Sequence, residues 1–100
     1  MDITVEELKE KMERGDSFLL IDVREPYEHD EFNIGGHLIP VGRFQSAIPE
    51  FEAHKDDEIV IYCRSGRRSG VAKELMELEG FKNVRNLLGG MLDWRDTFGV

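Results

Sequence analysis

The chain is short of cysteine, of long apolar runs and of positive charge, and each shortage removes a class of protein. A single cysteine, Cys63, cannot close an internal disulfide or supply paired thiolates to a metal or dithiol centre, so a stapled secreted scaffold is excluded. The longest uninterrupted apolar stretches, Phe18 to Ile21 and Ile59 to Cys63, fall far short of the roughly 18 residues a membrane span requires. Against 21 Asp and Glu there are 13 Lys and Arg, a net charge of −8 that repels phosphate backbones and anionic lipid. Neither nucleic acid nor a membrane is therefore an expected partner. The stretch Met1 to Glu7 is acidic where a secretory signal would be basic and then apolar, so a cytoplasmic location is expected.

What is present suffices for one folded domain over residues 1–100. Val, Ile, Leu and Phe make up 29 of the 100 residues, above the roughly 20% below which disorder is expected. No repeat or linker interrupts the chain. Thr4 followed by Glu7 reads as a capping box, with Ile3 and Leu8 as its staple, Val5, Leu8 and Met12 on one face, and Gly15 at the end of a first helix. Phe18 to Ile21 and Ile59 to Tyr62 are apolar on both faces, as strands covered by helices on both sides must be. His37 to Ile39 is a weaker strand, and Asp22 to His29 a loop with a short turn opened by Pro26. Pro49 interrupts whatever turns form between Arg43 and Ala53.

Val71, Ala72, Leu75 and Leu78 repeat at helical spacing between Ser69 and Glu79, with Gly80 as the cap. Val84 to Leu87 reads as a strand, Leu88-Gly89-Gly90 as a turn, and Met91 to Phe98 as a last helix anchored by Trp94. Strand and helix alternate throughout. The expectation is an α/β domain with three layers, a central, mostly parallel sheet with helices on both faces.

Cys63 falls at the carboxyl end of a buried strand, where ligands bind in open parallel sheets. A cysteine ending a core strand is commonly an inert apolar residue. Its neighbours argue otherwise. Arg64, Arg67, Arg68 and Lys73 follow with no acid between Ile59 and Lys73, the sharpest charge contrast in the chain. Cations at a helix start oppose the helix dipole, a placement that points to an anionic ligand. Ser65 and Gly66 are small enough for a tight curve whose amides point inward, and the helix begins near Ser69. Cations and a helix start lower a thiol's pKa and raise its thiolate fraction at neutral pH.

These residues resemble a rhodanese domain, the sulfurtransferase fold, from Thr4 to about Trp94. The resemblance is carried by Asp22-Val23-Arg24-Glu25-Pro26-Tyr27-Glu28, by Ile61-Tyr62-Cys63-Arg64-Ser65-Gly66-Arg67-Arg68-Ser69, and by Leu88-Gly89-Gly90 with Trp94. It implies that Cys63 attacks the outer sulfur of an anionic donor such as thiosulfate, becomes a persulfide, and passes the sulfur to cyanide or a thiol, including that of a protein in a sulfur relay. It further implies that the backbone from Arg64 to Arg68 cradles that sulfur while the side chains of Arg64 and of Arg67 or Arg68 hold the donor's oxyanions. Asp22, Arg24 and Ser69 are read as supports, Asp22 satisfying loop amides and Arg24 bracing the site by an ion pair.

No cofactor or metal is expected, since His29, His37 and His54 lack ligand spacing. Many members carry Gly-His-Ile-x-Gly-Ala where this chain has Asn33-Ile34-Gly35-Gly36-His37, so no role transfers to His37. Two alternatives stand beside the transferase. A phosphatase or arsenate reductase of this fold would place an arginine six positions after the cysteine, where this chain has Ser69. A non-catalytic binding module would have no use for Cys63 with its arginines.

Overall fold

Thr4 starts the first helix as its sequence predicts: its Oγ1 accepts the Glu7 amide at 3.1 Å, opening α1, Val5–Arg14. The other half of the capping box does not form, because the Glu7 carboxylate instead takes a guanidinium bond from Arg85 at 2.7 Å. Gly15, at φ 73°, closes the helix. Val5 and Leu8 are buried, each worth roughly 1.5–3 kcal/mol. Met12, expected on the same face, lies toward solvent at 38% exposure.

The computed structural model describes residues 1–99. After α1 come β1 (Leu19–Asp22), α2 (Pro26–Glu31), β2 (His37–Leu38), α3 (Val41–Ala47) and a 3₁₀ helix (Ile48–His54) that accommodates Pro49 in its first turn. Then follow β3 (Ile59–Tyr62), α4 (Arg67–Leu78), β4 (Val84–Asn86) and α5 (Gly90–Phe98). The four strands form one sheet in the order β2-β1-β3-β4, with every pairing parallel. Ile3 extends it by a parallel bridge to Leu87.

Side chains alternate across the sheet, and the alternation decides where the cysteine points. Ile59 and Ile61 of β3 pack with Phe44, Ile48, Phe51, Ala72 and Met76 on the face covered by α3, the 3₁₀ helix and α4. Val60 and Tyr62 pack with Val5, Leu8, Met91 and Trp94 on the face covered by α1 and α5. Cys63, two residues beyond Ile61, belongs to the first cluster and so turns toward α4. The chain leaves β1 for β2 on one side and β3 for β4 on the other. The order of strand addition therefore reverses between β1 and β3, with Asp22 and Tyr62 paired in register at that point. A crevice outside the carboxyl ends of two strands at such a reversal is where this architecture binds ligands.

The register of α4 differs from its apolar pattern. Its buried stripe is Ser69, Ala72 and Met76, while Val71 and Leu78 are 49% and 81% exposed. The stripe begins with a polar residue because the first turn of α4 packs against the sulfur rather than against the apolar core.

Candidate functional site

The loop from Cys63 to Ser69 is shaped by its carbonyl groups. Amides at the start of α5 take two of them: Met91 N–H donates to the Cys63 carbonyl and Leu92 N–H to that of Arg64, each at 2.9 Å. In a trans peptide the N–H points opposite to the C=O. Fixing the Arg64 carbonyl against α5 thus turns the Ser65 amide back toward the cysteine. The Gly66 carbonyl is held in turn by the Asn86 side-chain amide at 3.0 Å and by Gly70 N–H at 3.1 Å. Gly66 itself sits at φ 99°, a left-handed conformation that suits glycine and lets the loop curl into α4.

Cys63 is completely buried beneath this loop. Its Sγ accepts the Gly66 amide at 3.1 Å, the Ser69 amide at 3.4 Å and the Ser69 hydroxyl at 3.3 Å. Burial pushes the thiol's pKa up, but the Ser69 hydroxyl and the amides of Ser69, Gly66 and Ser65 outweigh it and hold the thiol below its ordinary value. The largest favourable contributions come from these amides and the hydroxyl, and Arg68 is coupled to the sulfur by charge alone.

The arginines divide. Arg68 does not face outward for a ligand; its guanidinium grips the Glu28 carboxylate through two bonds of 2.8 and 3.0 Å, fastening α4 to α2. Arg68 holds the Glu28 carboxyl at about 2, against the cost of its burial. The anion implied by a cation at this helix start is, for Arg68, a residue of the chain itself. Arg64 and Arg67 remain exposed, and the arginine ion pairs among the described residues engage Arg14, Arg24, Arg68 and Arg85. Arg64 stands at a cleft of about 330 Å³ whose walls include Tyr27, Glu31, Phe32, Leu92 and Arg95.

Asp22 and Arg24 brace the neighbouring strand end. Both are buried, and the Asp22 carboxylate accepts the Arg24 backbone amide at 2.9 Å and its guanidinium at 2.9 to 3.2 Å. Arg24 also donates to the Phe32 carbonyl at 2.7 Å, tying down the end of α2. His29 completes the group, with Nδ1 2.8 Å from Asp22. Sequence reasoning missed this contact and that of Asn86, because neither residue carries a local signal. Among the described residues no group of three or more His, Cys, Asp or Glu is placed to hold a metal ion. None of the helices described is long and apolar enough to cross a membrane.

Comparison with known proteins agrees with this geometry. A family model described as Rhodanese-like domain matches residues 4–97. The Bacillus subtilis protein YrkF, whose name marks it as a candidate sulfur carrier, is 39% identical over 94 residues, which cover 93% of this chain and 50% of that protein. The chain thus spans about half the length of that relative. A protein of Allochromatium vinosum named a sulfurtransferase is 36% identical over 99 residues, covering 93% of this chain and 86% of its own. The solved human single-domain sulfurtransferase TSTD1 superposes with a TM-score of 0.82 at 28% identity, covering 96% of each chain. Because the matched region contains both the Asp22 brace and the whole Cys63 loop, this chain belongs to the rhodanese-like domain family.

Proposed function

We propose that the chain carries a sulfane sulfur on Cys63, taking it from a small anionic donor such as thiosulfate and passing it to cyanide or a thiol. The observation that carries this reading is the ring of donors around one sulfur: two amides and a hydroxyl reach Sγ of the chain's single cysteine. In the first step the Cys63 thiolate attacks the outer sulfur of thiosulfate, a new S–S bond forms, and the old one breaks with its electron pair leaving on sulfite. The persulfide anion then takes up the negative charge that the loop amides are aimed to stabilise. In the second step cyanide attacks the outer sulfur, thiocyanate leaves and the thiolate returns; a thiol acceptor would leave as its own persulfide.

Exposed Arg64 and Arg67 are the groups suited to the donor's oxyanions, with Arg68 reserved for Glu28. The sulfur-carrier name of the Bacillus subtilis relative favours a protein thiol as one acceptor. A reducing, cytoplasmic setting suits a free thiol. The phosphatase reading is less well supported, since the position six residues after the cysteine holds the buried Ser69 and offers no cation to a phosphate. The test is the intact mass of the native protein after thiosulfate and then cyanide. One added sulfur atom, removed by cyanide with thiocyanate released and absent in Cys63→Ser, is expected; an unchanged mass would overturn the proposal.

A further inference from the structure

Ser69 stands between two acceptors and has one hydrogen to give. Its Oγ lies 3.3 Å from Cys63 Sγ and 2.5 Å from Asn86 Oδ1. The Asn86 side chain cannot present a donor to it, because its Nδ2 is committed to the Gly66 carbonyl at 3.0 Å. Asn86 is anchored from behind as well: its backbone amide donates to Asp2 Oδ1 at 3.0 Å, and the same oxygen is 2.7 Å from Lys73 Nζ. The acceptor facing Ser69 is therefore fixed in both identity and position.

We propose that Asn86 is a positioning residue that makes the Ser69 hydroxyl a switchable donor. While Cys63 is a thiol, the Ser69 hydrogen points to Asn86 Oδ1 and the S–H donates to the Ser69 oxygen, so each group has a partner. When the thiol proton leaves to water, the hydroxyl turns and donates to the charged sulfur, giving up Asn86. Oδ1 thus competes with the thiolate for one hydrogen and sets how readily that sulfur ionises. This rests on the reading of Cys63 as the sulfur carrier, for which a tuned thiolate fraction matters.

The charged and titratable groups on the elements around the sulfur are Arg64 and Arg67 of the loop and α4, the Arg68–Glu28 pair, Glu74 and Glu77 farther along α4, Asp30 and Glu31 of α2, and Asp22 at the end of β1 with Arg24 and His29 on it. Asp93, Arg95 and Asp96 belong to α5, the Asp2–Lys73 pair lies behind Asn86, and Arg85 of β4 is held by Glu7 and Glu58. An Asn86→Ala change leaves all of them in place, including the backbone bond to Asp2.

The experiment is a double-mutant cycle read by the ultraviolet absorbance of the Cys63 thiolate across pH, in wild type, Asn86→Ala, Ser69→Ala and the double variant. Loss of the competing acceptor lowers the midpoint in Asn86→Ala by roughly half to one pH unit, the worth of one hydrogen bond. Ser69→Ala raises it, and in that background Asn86→Ala no longer lowers it. A residue that merely held the Gly66 loop would act in the opposite direction, since a loosened loop loses amide donors and the midpoint rises. A rise, no change, or the same shift with and without Ser69 overturns the proposal. Should the alanine variant not fold, Asn86→Val, a better strand former without an acceptor, is expected to give the same signs. Sulfur uptake from thiosulfate, measured separately by mass, tells failure of this tuning from failure of the sulfur-carrying role.

Discussion

Gly90 approaches Cys63 so closely that a Cβ on the glycine would lie 2.5 Å from the cysteine carbonyl oxygen and 2.6 Å from that of Arg64. This contact joins the start of α5 to the reactive loop, and it is why the Leu88-Gly89-Gly90 turn belongs to the site rather than only to the chain reversal. Gly90 also sits at φ 55°. Gly90→Ala should destabilise the domain by about 1–3 kcal/mol through overpacking and backbone strain. It should also raise the Cys63 midpoint, because the displaced carbonyls no longer aim the amides inward. Urea unfolding and thiolate titration check the two effects.

Arg24→Met should cost about 3–5 kcal/mol, since it strands the fully buried Asp22 carboxylate with His29 and a single backbone amide. Thermal unfolding near neutral pH measures it. A loss below about 1 kcal/mol would contradict the bracing role.

The arginines should separate by phenotype. Arg64→Ala and Arg67→Ala are each expected to weaken donor binding by about 1.5–3 kcal/mol with stability nearly unchanged, because both side chains are exposed and their bonds would be to an anionic ligand. Arg68→Ala is expected to lower stability by about 1 kcal/mol, because it releases Glu28 and with it α2. Steady-state saturation with thiosulfate alongside denaturant melts distinguishes the two kinds of effect.

Glu28 predicts an acid-labile clamp. Its native value of about 2 lies below its ordinary 4.5, so between these values the unfolded chain binds the extra proton. The clamp's contribution is present above about pH 4.5 and is lost as the pH falls toward 2. Glu28→Gln should flatten that part of the stability profile, as read by urea midpoints over an acid pH series. An unchanged slope would remove the clamp.

Much of this architecture is legible in the residues themselves. Thr4, Gly15 and the apolar run Ile59 to Tyr62 place α1 and β3 because capping and burial on both faces are local properties. The position of Cys63 follows from alternation along β3. The register of α4 is harder to read, since its buried stripe starts at a serine: of Val71, Ala72, Leu75 and Leu78, Ala72 is buried and Leu75 packs against the core, while Val71 and Leu78 face solvent. The fate of Arg68 and the roles of Asn86 and His29 depend on partners 40, 17 and 7 residues away along the chain. Composition shows that such groups exist, and only the fold decides which of them meet.

Because Cys63 is the sole cysteine, its ionisation can be followed in the native protein without interference from a second thiol. Ultraviolet titration of that thiolate is the most direct test of a sulfur held charged by backbone amides and Ser69. The account predicts a midpoint below that of an ordinary thiol, shifted upward in Ser69→Ala. A midpoint at or above the ordinary value, indifferent to Ser69, would contradict it.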